Sequence, residues 1–279
     1  TCAINNDGFA IELWASGLPN ARSITLGAKG TVFAGTRELG AVYAVVDNDG
    51  KREVRTILKG LQRPNGVVYQ GGALYVAEQS RILRFDNIEE SLSKPGQPVV
   101  VFDALPKDEH HGWKTLVLGP DGWLYFNIGA PCNNCVPPET HAQIVRIDPK
   151  NGVLETVARG VRNSLGITFH PLTKELWFTD NGRDWLGDDQ PSDELNHLQK
   201  PGQHFGFPYC HQGNFTDPEF GWGKNCDDYA KPAQLMGPHA ATLGMRFYTG
   251  KMFPAKYQGA IFIARHGPWR SEEHTSELQ

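Results

Sequence analysis

The sequence predicts an all-β fold, a β-propeller of four-stranded blades, on three observations. First, a paired-strand pattern recurs: Ser23-Ile24-Thr25-Leu26 before Thr31-Val32-Phe33-Ala34, Gly66-Val67-Val68-Tyr69 before Ala73-Leu74-Tyr75-Val76, Thr115-Leu116-Val117-Leu118 before Trp123-Leu124-Tyr125-Phe126, and Gly166-Ile167-Thr168-Phe169 before Glu175-Leu176-Trp177-Phe178. Each copy is an apolar strand, a turn bearing Gly, Pro or Asp, and a second strand, the signature of a β-hairpin. Second, the second-strand positions Val32, Leu74, Leu124, Leu176 and Ile261 lie 42, 50, 52 and 85 residues apart, and spacings of roughly 40 to 50 residues suit four-stranded blades. Third, the composition of 31 Gly and 19 Pro among 279 residues, with 39% hydrophobic residues, fits many short strands joined by turns around a large core.

The remaining strands follow in order. Third runs are Val42-Tyr43-Ala44-Val45, Arg81-Ile82-Leu83-Arg84-Phe85 and Gln143-Ile144-Val145-Arg146-Ile147. Fourth runs are Val54-Arg55-Thr56-Ile57, Val99-Val100-Val101-Phe102 and Leu154-Glu155-Thr156-Val157. The 85-residue interval reads as a blade with a long insertion. No helical period, low-complexity linker or transmembrane run interrupts the pattern, so one domain is expected over residues 1–269.

Antiparallel pairing puts the start of a blade's first strand beside the end of its second. Across blades these two slots gather at one mouth of the central channel. Here they are polar in copy after copy. First-strand starts hold Arg22, then Arg63 and Asn65, then His110, His111 and Lys114, then Arg162 and Asn163, then His239. Second-strand ends hold Arg37, Glu78 with Gln79, Asp180 with Asn181 and Arg183, and Arg265 with His266. A solvated loop face explains any one of them; their agreement points to a site on the axis.

The net charge of −4 is dispersed, so neither nucleic acid nor an anionic membrane is an expected partner, and a small molecule is. The chain opens on Thr1 without a charged-then-apolar leader, as a processed or cropped product would. Cys132-x-x-Cys135 lies in a loop after a second strand, Cys210 and Cys226 flank a Gly-rich insertion, and Cys2 is left over. Two disulfides in an exported protein, periplasmic or secreted, are the favoured reading. A zinc site from the same four cysteines is the alternative, against which stands their uneven spacing. Residues 270–279, Arg270 to Gln279, match the translation of a common short-read sequencing adapter and carry no strand pattern. The expectation is that the native sequence diverges after Trp269 and that the propeller here is incomplete at its C-terminus, with about four to five blades.

Three groups could carry chemistry. His110-His111-Gly112-Trp113-Lys114 offers a histidine at a channel mouth, a general base near neutral pH; a hydrogen-bonded loop histidine is the alternative. Arg162-Asn163, with Lys114 and Arg22 or Arg37, would make a cationic rim whose guanidinium forks suit carboxylates or phosphates. The stretch from Asp180 to Asn196 contains six acidic residues in a Gly-bearing loop, oxygen donors for calcium or simply a solvated acidic loop.

These stretches, taken in order with Asn163-Ser164-Leu165-Gly166 and Gly206-Phe207-Pro208, resemble the soluble pyrroloquinoline-quinone (PQQ) dependent sugar dehydrogenases, nearest the sorbosone or aldose sugar dehydrogenase branch. The resemblance runs from about Gly8 to Trp269. It implies a six-bladed β-propeller with PQQ across the channel mouth and a calcium ion on the quinone. It implies His111 as the base that takes the sugar's hydroxyl proton, and Arg162 and Asn163 as quinone contacts. Asn65, Lys114, His239, Arg265 and His266 are further candidates on the cofactor side. Backbone carbonyls of Gly182 and Arg183 match calcium ligands, and Asp193 and Glu194 the acidic pair that closes the calcium loop. Arg183 stands where glucose-oxidising relatives have Pro, and the basic residues that clamp the PQQ carboxylates from the last blade have no counterpart before Trp269. The implied activity is oxidation of an aldose or related sugar, with electrons passed to an external acceptor, a cytochrome or quinone. A calcium-dependent lactonase and a non-catalytic carbohydrate- or protein-binding propeller are the alternatives.

Overall fold

The structure is a computed structural model that describes residue 9 and residues 11–267. Cys2, Trp269 and the segment 270–279 lie outside the described residues. Strands β1 (Ala21–Leu26), β2 (Val32–Thr36), β3 (Val42–Asn48) and β4 (Lys51–Leu58) form one antiparallel sheet in sequence order. The next sheet is β5 (Gly66–Gln70), β6 (Ala73–Ala77), β7 (Ile82–Phe85) and β8 (Val99–Phe102). The third is β9 (Leu116–Leu118), β10 (Leu124–Ile128), β11 (Gln143–Ile147) and β12 (Leu154–Arg159). The fourth begins with β13 (Ile167–Phe169), β14 (Leu176–Asp180) and β15 (Ser192–His197).

The chain then departs into the insertion expected from the 85-residue interval. β16 (Gln203–His204) adds in parallel to the outer edge of β12, and β17 (Cys210–His211) pairs with β18 (Phe215–Thr216) as a small hairpin. β19 (Gln234–Pro238) returns as the fourth strand of the fourth sheet. A further hairpin, β20 (Thr242–Phe247) with β21 (Ile261–Arg265), ends the described fold. The protein is thus an all-β propeller in which four blades and half of another are described.

Middle strands are buried on both faces because each blade is covered by its neighbours. Every residue of β6 and β10 is buried. Phe33, Leu74 and Leu83 meet between the first two blades, Leu116, Phe126 and Val145 between the second and third, and Ile144, Ile167 and Phe178 between the third and fourth. Truncating such a side chain, Phe126→Ala for instance, costs about 3–5 kcal/mol. Inner strands β1, β5, β9, β13 and β20 line a central channel of about 1020 Å³. Register puts the predicted slots at one mouth: Ala21 faces Thr36, Gly66 faces Ala77, Leu116 faces Phe126, Ile167 faces Phe178 and Thr242 faces Arg265.

Candidate active site at the channel mouth

The turn from Lys107 to Lys114 presents His111. Gln79, at the end of β6, donates from Nε2 to the carbonyls of Lys107 (2.7 Å) and Asp108 (2.8 Å), and His141 Nε2 lies 2.9 Å from Asp108 Oδ2. Lys114 is buried and turns its Nζ inward onto the Gly112 carbonyl at 2.7 Å, and burial lowers its pKa to about 8. These bonds hold His111 at φ 51°, a left-handed conformation uncommon for a residue with a side chain. Its ring packs on His110 with centroids 4.0 Å apart. Gly129 makes the close approach possible, because a Cβ there would stand 2.5 Å from the His111 Cβ and 2.8 Å from its carbonyl.

His111 Nδ1 lies 2.9 Å from the Ala130 carbonyl. A carbonyl only accepts, so Nδ1 carries the proton and Nε2 keeps its lone pair. Burial, the positive charge of Arg162 and the neighbouring His110 hold this imidazole well below its ordinary range. His111 is therefore neutral at neutral pH, with a basic nitrogen on Nε2.

Ala130 also joins the histidine to Arg162, for its N–H donates to the Arg162 carbonyl at 2.8 Å. Asp180, at the end of β14, accepts the backbone N–H of Arg162 (2.8 Å) and of Asn163 (2.6 Å), and burial pushes its pKa up to about 7. The Arg162 guanidinium is buried. Nε donates to the Asn133 carbonyl (2.8 Å), Nη2 to Asn133 Oδ1 (2.8 Å), and Nη1 to the carbonyls of Asn181 (3.0 Å) and Gly182 (2.8 Å). Four of its five N–H donors are thus used on protein oxygens, against the expectation of a fork presented whole to an anion. What Arg162 retains for a ligand is its charge, its planar face and the second Nη2–H. Beside it, the buried Asn163 Oδ1 has no hydrogen-bond partner among the described residues. An orphaned buried acceptor of this kind costs about 1–3 kcal/mol unless a ligand or water meets it.

The acidic loop divides in two. Asp188 and Asp189 are exposed, while Asp180, Asp193 and Glu194 are buried. Asp193 uses Oδ1 on the Gly182 N–H and Oδ2 on the Ala241 N–H, both at 2.8 Å, so its carboxylate shapes the Gly182–Arg183 backbone. Burial, with Asp180 nearby, pushes Glu194 up to about 8; its Oε2 accepts from Asn196 Nδ2. The Gly182 carbonyl already takes one Arg162 N–H and keeps one lone pair, and the Arg183 carbonyl accepts no hydrogen bond among the described residues. Hard neutral oxygens backed by buried carboxylates fit a calcium ion.

The other expected residues are spread around the mouth. Asn65 is buried in the channel wall and donates from Nδ2 to the Lys114 carbonyl at 2.9 Å. His239 Nε2 lies 2.8 Å from the Gly187 carbonyl, which ties it to the acidic loop. Arg265 and His266 are exposed at the end of β21. Arg37 and Arg63 flank Trp113, their guanidinium carbons 4.3 and 5.8 Å from its ring centroid.

Both disulfides form, Cys132–Cys135 and Cys210–Cys226, so none of these four cysteines is left for zinc. Sequence reasoning missed Asn133 and Gly129. The first had a signal, an Asn pair enclosed by two cysteines directly after a second strand. Gly129, one glycine among 31, had none.

A propeller whose polar mouth combines a neutral histidine base with a buried guanidinium held by four hydrogen bonds is a candidate oxidoreductase scaffold. The chain belongs to the glucose/sorbosone dehydrogenase family, whose model matches residues 67–265. An uncharacterised protein of Borreliella burgdorferi is 35% identical over 277 residues, covering 94% of this chain and 72% of that protein. Among solved structures, the holo PQQ domain of pyranose dehydrogenase from Coprinopsis cinerea superposes with a TM-score of 0.77 at 20% identity, over 93% of this chain and 74% of that one. The calcium structure of a Trichoderma reesei carbohydrate-active enzyme of family AA12 gives 0.76 at 20% identity, over 88% and 75%.

Proposed function

We propose that this protein is a PQQ- and calcium-dependent sugar dehydrogenase that oxidises an aldose or related sugar and passes electrons to an external acceptor, a cytochrome or quinone. The observation that carries the reading is Arg162: a guanidinium held in its plane by four hydrogen bonds to protein oxygens can offer a flat, anionic ring system its face and charge, next to the orphaned Asn163 Oδ1 and the His111 base. The family and the PQQ and calcium named in the fold relatives support it.

When bound, PQQ would supply the hydride acceptor and calcium Lewis acidity, and the Gly182 and Arg183 carbonyls are the groups that would hold the calcium. His111 Nε2 would accept the proton of the sugar hydroxyl, while Nδ1–H on the Ala130 carbonyl fixes the tautomer. Arg162 lowers the energy of negative charge developing over its face. Asp180 fixes the backbone on which Arg162 and Asn163 sit, and Asp193 the backbone of the calcium carbonyls. Asn65, Lys114, His239, Arg265 and His266 belong to the surrounding rim and its support. The lactonase alternative finds less support, because the family matched over residues 67–265 is that of the glucose/sorbosone dehydrogenases.

Six blades are proposed for the complete ring. The described residues supply four and a half, three quarters of six, and the chain covers 74% of the Coprinopsis domain. Ile24, Leu26 and Phe262 are 68, 65 and 40% exposed on the two blades that flank the gap, where a further blade would cover them. A native boundary at Trp269 is proposed with it, and the source locus tests it by its codons for 270–279. Two disulfides accord with a periplasmic or secreted location. Dye reduction by the full-length protein with PQQ, calcium and a sugar panel tests the function. His111→Ala is expected to cost about 10²–10⁴-fold in kcat, and lactone hydrolysis without PQQ would overturn the reading.

A further inference from the structure

We infer that Asn133, enclosed by the Cys132–Cys135 disulfide, is the positioning residue for the Arg162 guanidinium, and that residues 130–135 form one platform setting both the base and the cation. Four bonds leave Asn133. Its carbonyl accepts from Arg162 Nε and its Oδ1 from Arg162 Nη2, each at 2.8 Å; Oδ1 also accepts the Asp184 N–H at 2.8 Å, and Nδ2 donates to the Asp184 carbonyl at 3.2 Å. Oδ1 thus meets two donors and Nδ2 an acceptor, so the amide has one satisfied orientation.

The grip is two-sided: one residue reads the whole Nε–Nη2 edge of the guanidinium and the acidic loop behind it. Asn134 points elsewhere, its Nδ2 3.3 and 3.4 Å from the Asp217 carboxylate oxygens. A two-residue span whose amides serve two different loops needs a fixed backbone, and the disulfide joins its ends across a sequence separation of 3. Cys132 is itself anchored, packed against Ala130, Ala142 and Phe207. Ala130 is the residue whose carbonyl orients His111 and whose N–H holds the Arg162 backbone. Loosening the staple therefore moves the guanidinium relative to the imidazole.

The test has an arm that needs no cofactor. In ¹⁵N NMR of the full-length protein, the Arg162 Nη2–H that bonds Asn133 Oδ1, assigned by its loss in Arg162→Lys, should exchange slowly with solvent. Asn133→Ala, and separately Cys132→Ser with Cys135→Ser, should speed that exchange about tenfold or more, as expected for loss of a hydrogen bond to a charged group. Asn133→Asp, which keeps the acceptor, should stay near wild type. PQQ titrations rest on the function proposed above, and there the same variants should bind about tenfold more weakly, with kcat falling more than KM changes. Unchanged exchange in folded Asn133→Ala overturns the inference, and if that variant does not fold, the cysteine pair decides by the same signal. Faster exchange in a protein that binds no PQQ supports the positioning role and refutes the proposed function instead.

Discussion

Two buried arginines at this mouth, Arg162 and Arg183, are partnered in opposite ways. Arg183 meets carboxylates: Asp217 Oδ2 at 2.9 Å from Nη1 and Glu219 Oε1 at 2.7 Å from Nη2. Asp217 also accepts from His211 and from the backbone N–H groups of Glu219 and Phe220. Burial works to raise the Asp217 carboxyl, and these hydrogen bonds overcome it, holding it well below the usual carboxylate range. Arg162 instead meets neutral oxygens, with its nearest ion pair to Asp184 stretched to 3.8 Å. A cation neutralised on the spot is a fastener. A cation held by dipoles keeps its charge available to a ligand.

The comparison can be broken by removing each cation in turn. Arg183→Met leaves Asp217 buried with an incomplete set of partners and is expected to cost about 3–5 kcal/mol of stability, read by urea denaturation. Pairing it with Asp217→Leu should not restore stability, because His211 and the backbone N–H groups of Glu219 and Phe220 then lose their acceptor. Arg162→Met should act on chemistry, lowering PQQ-dependent kcat by about 10²–10³-fold, the scale of one lost electrostatic stabiliser. If the two variants show the same balance of stability and rate effects, the division into fastener and functional cation fails.

Gly129→Ala sharpens the geometry. Its Cβ must displace His111, so kcat is expected to fall roughly ten- to a hundredfold through misplacement of the base. A normal rate in this variant would show that the Gly129–His111 approach is incidental.

The smallest effect concerns pH. The folded His111 is depressed below its ordinary value of about 6.5. The unfolded chain then binds the proton more readily, so this group's contribution to stability is full above about pH 6.5 and is lost as pH falls through the folded value. The base-competent neutral form persists over the same window. The acid limb of kcat/KM should therefore lie below pH 6.5, and a limb at or above it would mean that His111 is solvated or is not the base.

How much of this was legible in the sequence follows from the range of the interactions. Blade repeats were readable because strand alternation and turn residues are local, and the register places Arg162, Asn163, Asp180 and Asn181 at one rim as the polar slots implied. The fourth strand of the fourth blade, Gln234–Pro238, was hidden because the insertion separates it from its partner β15. Lys114 read as a rim cation, yet folding turns its head under the turn it supports. The fork of Arg162 read as an anion clamp, and only the approach of the loops at Asn133 and Asn181–Gly182, distant from it in sequence, takes up four of its five N–H donors. Chain separation hides such contacts, and composition cannot restore them.

Arg162 is proposed to offer its charge and face to a flat anionic cofactor. The most direct measurement is a PQQ titration of the full-length protein with calcium, wild type against Arg162→Met, followed by quinone absorbance. One PQQ should bind per wild-type chain, and binding should weaken by about 10²-fold or more in the variant. Equal binding by both proteins, or none by the wild type, would contradict it.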